Sequence, residues 1–251
     1  MKLFDRIALV TGASRGIGRA IALAYAAEGA HLVIAARSGD ALATLAHNIE
    51  SEGREALAVV TDLADEAAIA ALAEATLERF GRLDVLVNNA AIIHSPTLLI
   101  DFDPALWRAV VDVNLIAPAL LTRAVLPAMI KQGEGRIINI SSIGGRKGSH
   151  RRSAYRATKA GLINLTESVA AEVHEHGIAV TCICPGGVDT EGMREAYDSR
   201  GRADNPDLMD PAEIAEVAVF LASDAASAVT GTAVDAYGAT NPLFRRRRTA
   251  L

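Results

Sequence analysis

The chain has 251 residues, 51% of them hydrophobic, which is enough for a substantial core and excludes wholesale disorder. Lys and Arg number 25 against 30 Asp and Glu, and the run Arg245-Arg246-Arg247-Arg248 masks a body more acidic than the net charge of -5, which argues against nucleic acid as the main partner. Two cysteines cannot build a disulfide framework and point to a reducing compartment, the cytoplasm, while the apolar patch before Gly12 is too short for a signal sequence or a membrane span.

Short β-branched runs alternate with Ala/Leu-rich stretches along the chain. Strands are predicted at 7–11, 32–36, 56–60, 85–88, 136–141, 178–184 and 233–237, mostly as continuous apolar runs, the signature of a parallel sheet covered on both faces. Helices are predicted at 16–28, 40–52, 66–80, 104–131, 153–175 and 211–222. Asp210-Pro211-Ala212-Glu213 makes a strong helix start, with a capping residue, proline at the first position and acid in the first turn. The rhythm implies one doubly wound α/β domain over the whole chain. The polar segment 190–210 interrupts that rhythm after a strand's carboxyl end, where ligands of open α/β sheets bind, and is expected to be a mobile substrate lid.

The first strand runs into Gly12, Ser14, Arg15, Gly16, Ile17 and Gly18. Glycines let the backbone turn sharply and approach a ligand, and the helix that follows offers free N–H groups to a diphosphate. The spacing is G-x-x-x-G-x-G, and no Gly-Lys-Ser/Thr follows, which disfavours a P-loop hydrolase. Further on, Tyr155 and Lys159 stand four apart in a helical pattern and share a face, so the ammonium is expected to lower the phenol's pKa towards a working range. Ser141 and Ser142 close the preceding strand at the same sheet edge.

These motifs, with Asp62-Leu63, Asn88-Asn89-Ala90-Ala91, Asn114 and Pro185-Gly186-Gly187-Val188-Asp189-Thr190, resemble in order and spacing the short-chain dehydrogenase/reductase family over about residues 7–238. The resemblance implies a Rossmann-type domain with a seven-stranded parallel sheet, helices on both faces, and assembly into dimers or tetramers. It implies Tyr155 as acid/base on the substrate oxygen, Lys159 on the nicotinamide ribose, Ser142 rather than Ser141 on the reacting carbonyl, and Asn114 placing a water behind Lys159. Asp62 and Leu63 would meet the adenine, Asn89 and Ala90 the adenosine ribose, Val188 and Thr190 the nicotinamide carboxamide, with Pro185 and Gly186 in the same stretch. The activity implied is hydride transfer between a nicotinamide cofactor and a ketone or secondary alcohol, with 3-oxoacyl-thioester reductases and sugar- or polyol-oxidising enzymes as the nearest likeness. Where carrier-protein reductases often carry basic residues, this chain has Gly133-Glu134 and His176, which weakens the case for a carrier-protein substrate.

NAD-preferring relatives often carry Asp where this chain has Ala36, whereas Arg37 and Arg15 can grip a 2′-phosphate, so NADP is expected rather than NAD. Apolar residues on more than one face of 104–131 and 153–175, among them Leu120, Leu121, Leu162, Leu165 and Val169, predict a homotetramer. His94, His150, Arg151 and Arg152 follow strand ends where substrate should sit, and at least one is expected to meet it. Cys182 and Cys184 read as buried free thiols, His174 and His176 as a helix end, and no metal site is expected. Ala91, the sequence Asp235-Ala236-Tyr237-Gly238 and the basic tail 241–251 depart from the family pattern. Two other readings remain open at this point: a non-catalytic dinucleotide-binding scaffold on the same fold, and a methyltransferase, which would need neither Tyr155 nor Lys159.

Overall fold

Seven apolar runs become seven strands. The computed structural model describes residues 1–242, so arginines 245–248 lie outside the described residues. The strands are β1 (Ile7–Thr11), β2 (His31–Ala36), β3 (Ala56–Val60), β4 (Val85–Asn88), β5 (Gly135–Ile140), β6 (Ile178–Pro185) and β7 (Thr232–Ala236). They depart from the predicted bounds by no more than a single residue at either end. All pair in parallel, in the order β3-β2-β1-β4-β5-β6-β7. The chain winds outward from β1 to β3, then returns to place β4 on the other side of β1. The strand order therefore reverses between β1 and β4, and at that switch point the carboxyl ends leave a crevice.

Side chains alternate across each strand, so one strand feeds two cores. Ala8 and Val10 of β1 pack with Ile21, Tyr25 and Val219 on one face, while Ile7 and Leu9 pack with Leu72, Leu121 and Val180 on the other. The first face is covered by α1 (Gly16–Ala27), α2 (Gly39–Ser51) and α8 (Pro211–Ala222). The second is covered by α3 (Glu66–Phe80), α5 (Ala117–Gln132) and α6 (Ser153–Val173). Tyr25 is wholly buried and satisfies its hydroxyl by donating to the Ala218 carbonyl at 3.0 Å, which ties α1 to α8. The helix start at Asp210 forms as predicted, with a complete capping box to Glu213.

Two segments differ from the sequence reading. The helix expected to run unbroken over 104–131 is α4 (Pro104–Val111), a π-helical turn at Asp112–Ile116, and then α5. Pro118 supplies a physical reason: it has no N–H to give the carbonyl four residues back, that of Asn114. By length and composition Pro104–Gln132 could cross a membrane, yet Val110, Leu121, Val125 and Met129 from it are buried in the cores. Its outer side exposes Leu106, Ile116 and Ile130. The second difference is the segment 190–210, which is not irregular throughout. It holds α7 (Glu191–Tyr197), capped by the Thr190 hydroxyl, and is pinned to the sheet edge by a parallel bridge between Val188 and Met209.

Candidate active site

Glycine at position 12 is required twice over. Its φ is +64°, and a Cβ there would stand 2.8 Å from the Ala90 Cα. The turn after β1 consequently lies against the end of β4, where Asn89 donates to the Thr11 carbonyl at 2.8 Å and the Thr11 hydroxyl accepts from the Asn89 and Ala90 amides. Gly18 faces the same asparagine: a Cβ would meet its Nδ2 at 2.4 Å. With the turn so held, α1 begins beside the crevice, and no side chain caps its N-terminus. Free N–H groups and the positive end of a helix dipole suit a diphosphate, so the residues present fit a dinucleotide.

The crevice is a cleft of about 960 Å³, at the upper end of the range for small-molecule sites. Gly12, Ser14, Arg15, Gly16 and Ile17 line it from the turn, Ala36 and Arg37 from the end of β2, and Asp62 and Leu63 from the end of β3. Asn89, Ala90, Pro185, Gly186, Val188 and Thr190 line its middle. Ser142, Tyr155 and Lys159 line the far wall. Gly18 and Asn114 stand behind the lining. Asn114, fully buried in the π-helical turn, accepts from the Ile92 amide at 2.7 Å and donates to the Ile92 carbonyl at 3.1 Å.

The two serines at the end of β5 have separate surroundings. Ser141 is buried and donates to the Lys159 carbonyl at 2.7 Å, whereas Ser142 faces the cleft, accepts from the Gly144 amide at 2.9 Å and hydrogen-bonds the Tyr155 phenol. Lys159 is 2% exposed and donates to the Ile140 carbonyl at 2.6 Å. Burial pulls its pKa down to about 8. The expectation that Lys159 draws Tyr155 down needs correction for this structure. The Tyr155 phenol sits above its ordinary value because burial disfavours phenolate, with the Ser142 hydroxyl and the Arg152 charge pulling the other way. The ammonium, 5.7 Å from the Tyr155 ring centroid, is turned to Ile140.

Of the four residues expected near substrate, His150 and Arg151 are exposed, while His94 and Arg152 are buried. His94 donates from Nδ1 to the Ser95 carbonyl at 2.7 Å, and its Nε2 accepts from the Tyr155 amide at 3.4 Å. Burial, reinforced by the Arg152 charge, holds its pKa below the ordinary value, so the ring is neutral. Sequence reading missed Ile93, Arg156, Met193, Glu195, Tyr197 and Leu208 as cleft residues. Three of these lie on or beside α7, and the helical start at Thr190-Glu191 was the available signal. Among the described residues no cluster could hold a metal ion, and Cys182 and Cys184 are buried free thiols.

Residues 6–201 match the family model described as short chain dehydrogenase. The chain belongs to the short chain dehydrogenase family. Its members are oxidoreductases that bind NAD or NADP, and the seven-stranded parallel sheet is the family's fold. A 3-oxoacyl-[acyl-carrier-protein] reductase of Synechocystis is 42% identical over 234 residues, covering 91% of this chain and 94% of that one. A cis-4-hydroxycyclohexanecarboxylate dehydrogenase of Sinomonas cyclohexanicum is 41% identical over 234 residues, covering 90% and 93%. Among solved structures, a variant of actinorhodin polyketide ketoreductase with NADPH superposes with a TM-score of 0.87 at 33% identity, covering 95% of this short chain dehydrogenase and 98% of its own chain.

Proposed function

We propose that this chain transfers hydride between NADP(H) and a ketone or secondary alcohol, with Tyr155 as the acid/base. The observation that carries the reading is the convergence of Ser142, Tyr155 and Lys159 on the wall of a cleft whose other end is the glycine turn and Arg37. A scaffold or a methyltransferase has no use for that set. Bound nicotinamide supplies or takes up the hydride. Ser14, Gly16, Ile17 and the start of α1 hold the diphosphate, Arg15 and Arg37 the 2′-phosphate, Asp62 and Leu63 the adenine, and Asn89 and Ala90 the adjacent ribose. Pro185, Gly186, Val188 and Thr190 orient the carboxamide end.

Ser142 turns its hydroxyl proton from the Tyr155 phenol to the substrate oxygen, and Tyr155 gives or receives a proton there. A phenol above its ordinary pKa is protonated at neutral pH, which suits proton donation in the reductive direction, and a Lys159 ammonium turned from Ile140 towards the phenol would favour phenolate for the reverse. Asn114 acts as a positioning residue, fixing the loop after β4 through Ile92. The segment 190–210, which opens with α7, covers the substrate end. Leu121 and Leu162, read from sequence as facing a partner, are instead buried within the chain itself; the exposed Leu106, Ile116 and Ile130 suit burial between subunits of a homotetramer, and two free thiols suit the cytoplasm. A monomer in light scattering at micromolar concentration would refute the assembly.

The reading is tested with NADPH, a panel of ketones and the Tyr155→Phe variant. Cofactor binding should persist while turnover falls by several orders of magnitude. Near wild-type turnover in that variant would refute the role of Tyr155.

A further inference from the structure

Arg152 opens α6 and is 6% exposed, yet its side chain lines the cleft. The guanidinium is within cation–π distance of two rings, 5.3 Å from the centroid of Tyr155 and 4.7 Å from that of Tyr197 on α7. It donates to one main-chain oxygen, that of His94. Among the described residues no carboxylate stands within ion-pair distance of it. A guanidinium has five N–H donors, so most of them are unspent on protein.

A buried cation without a counter-ion is costly, and aromatic faces repay only part of that cost. The neighbourhood makes the imbalance larger. The acids lining the cleft are Asp62, at the far end beside β3, and Glu195, which is paired with Arg15. At the substrate end the lining cations are Arg152, Arg156 and Lys159, and Arg156 and Lys159 spend hydrogen bonds on carbonyls rather than acids. The His94 ring behind Arg152 is neutral and has both nitrogens engaged. The missing negative charge therefore has to arrive with a ligand.

We propose that the substrate carries a carboxylate and that Arg152 is its anchor, a specificity residue adjoining the proposed acid/base. The inference rests on the reductase reading for the reacting group, but the anion site stands on Arg152 itself. Cation–π contacts with two rings leave N–H groups of the guanidinium unspent, and a guanidinium edge presents paired N–H groups to a planar carboxylate. Because Arg152 adjoins the ring of Tyr155, carboxylate and reacting carbon belong to one small molecule.

The test uses wild-type protein with three keto acids of increasing span, acetoacetate, levulinate and oxocyclohexanecarboxylate, each beside its methyl ester. Calorimetry in the presence of NADP⁺, which cannot reduce a ketone, reads binding alone, and NADPH oxidation reads turnover. At least one keto acid should bind and react about 10- to 100-fold better than its ester. Arg152→Gln should bring that ratio to about one through KM, and Arg152→Lys, which keeps charge but loses the fork, should fall between. Equal binding of acids and esters by the wild-type protein overturns the anchor even if every ketone is reduced. Preferential binding of the acids without any NADPH or NADH turnover refutes the reductase reading and leaves the anchor standing. An acid preference that survives in Arg152→Gln also overturns the proposal.

Discussion

Lys159 gives its ammonium to the main-chain carbonyl of Ile140 at 2.6 Å, beside the ring of Tyr155. The site therefore holds its cation by the backbone of β5 rather than by an acid.

That arrangement costs stability. The unfolded lysine keeps its proton up to about 10.5, while burial brings the folded one down to about 8, a difference of roughly 3 kcal/mol. Losing the Ile140 hydrogen bond offsets about 1 kcal/mol. Lys159→Met should thus be more stable than the wild type at pH 7 by about 2 kcal/mol and inactive. Between pH 8 and pH 10.5 the unfolded state binds more protons, so the wild type gains on the variant as pH rises and the gap closes. Thermal melts of both proteins across that range check the prediction; a gap independent of pH contradicts it.

The neighbouring serines should separate cleanly. Ser141→Ala removes a buried donor to the Lys159 carbonyl and should cost about 1–3 kcal/mol of stability. Ser142→Ala should leave stability within about 1 kcal/mol and lower kcat by about 100-fold or more, since it removes a donor at the reacting oxygen. Denaturant titration beside steady-state kinetics distinguishes them, and the reverse pattern would exchange their roles.

Arg15 is held by Glu195 of α7, and under the proposed NADP reading a 2′-phosphate would compete with that carboxylate. Glu195→Gln should tighten NADPH by about two- to five-fold, the scale of an exposed ion pair, and leave NADH unchanged. Ala36→Asp together with Arg37→Ala should turn preference towards NADH. Fluorescence titrations at two salt concentrations decide the matter. Equal wild-type affinity for the two cofactors would show that neither arginine reads the phosphate.

Asn114 is predicted to matter through Ile92. Asn114→Leu keeps the size but leaves the Ile92 amide and carbonyl without their partner, at a cost of roughly 2–4 kcal/mol. The loop after β4 should then exchange its amide hydrogens faster than in the wild type. A variant with unchanged melting temperature and unchanged exchange would show that the π-helical turn does not depend on this contact.

The strands were legible in the sequence to within a residue because a parallel sheet buried on both faces demands unbroken apolar runs, and only side-chain chemistry is needed to see them. Gly12, Tyr155 and Lys159 were legible because the turn and the helix face are set by near neighbours in the chain. Pro118 marked the break at Asp112–Ile116, but a proline early in a helix also reads as an ordinary start, so its effect on Asn114 was hidden. What only the tertiary structure decided are the relationships across the sheet edge: the elevated Tyr155 phenol, the Arg15–Glu195 pair and the cation–π contacts of Arg152 with Tyr155 and Tyr197. Each depends on how much water remains around a charge and which distant residue replaces it. Those quantities arise when β5, α6 and α7 close on one cleft, and no local pattern of residues encodes them.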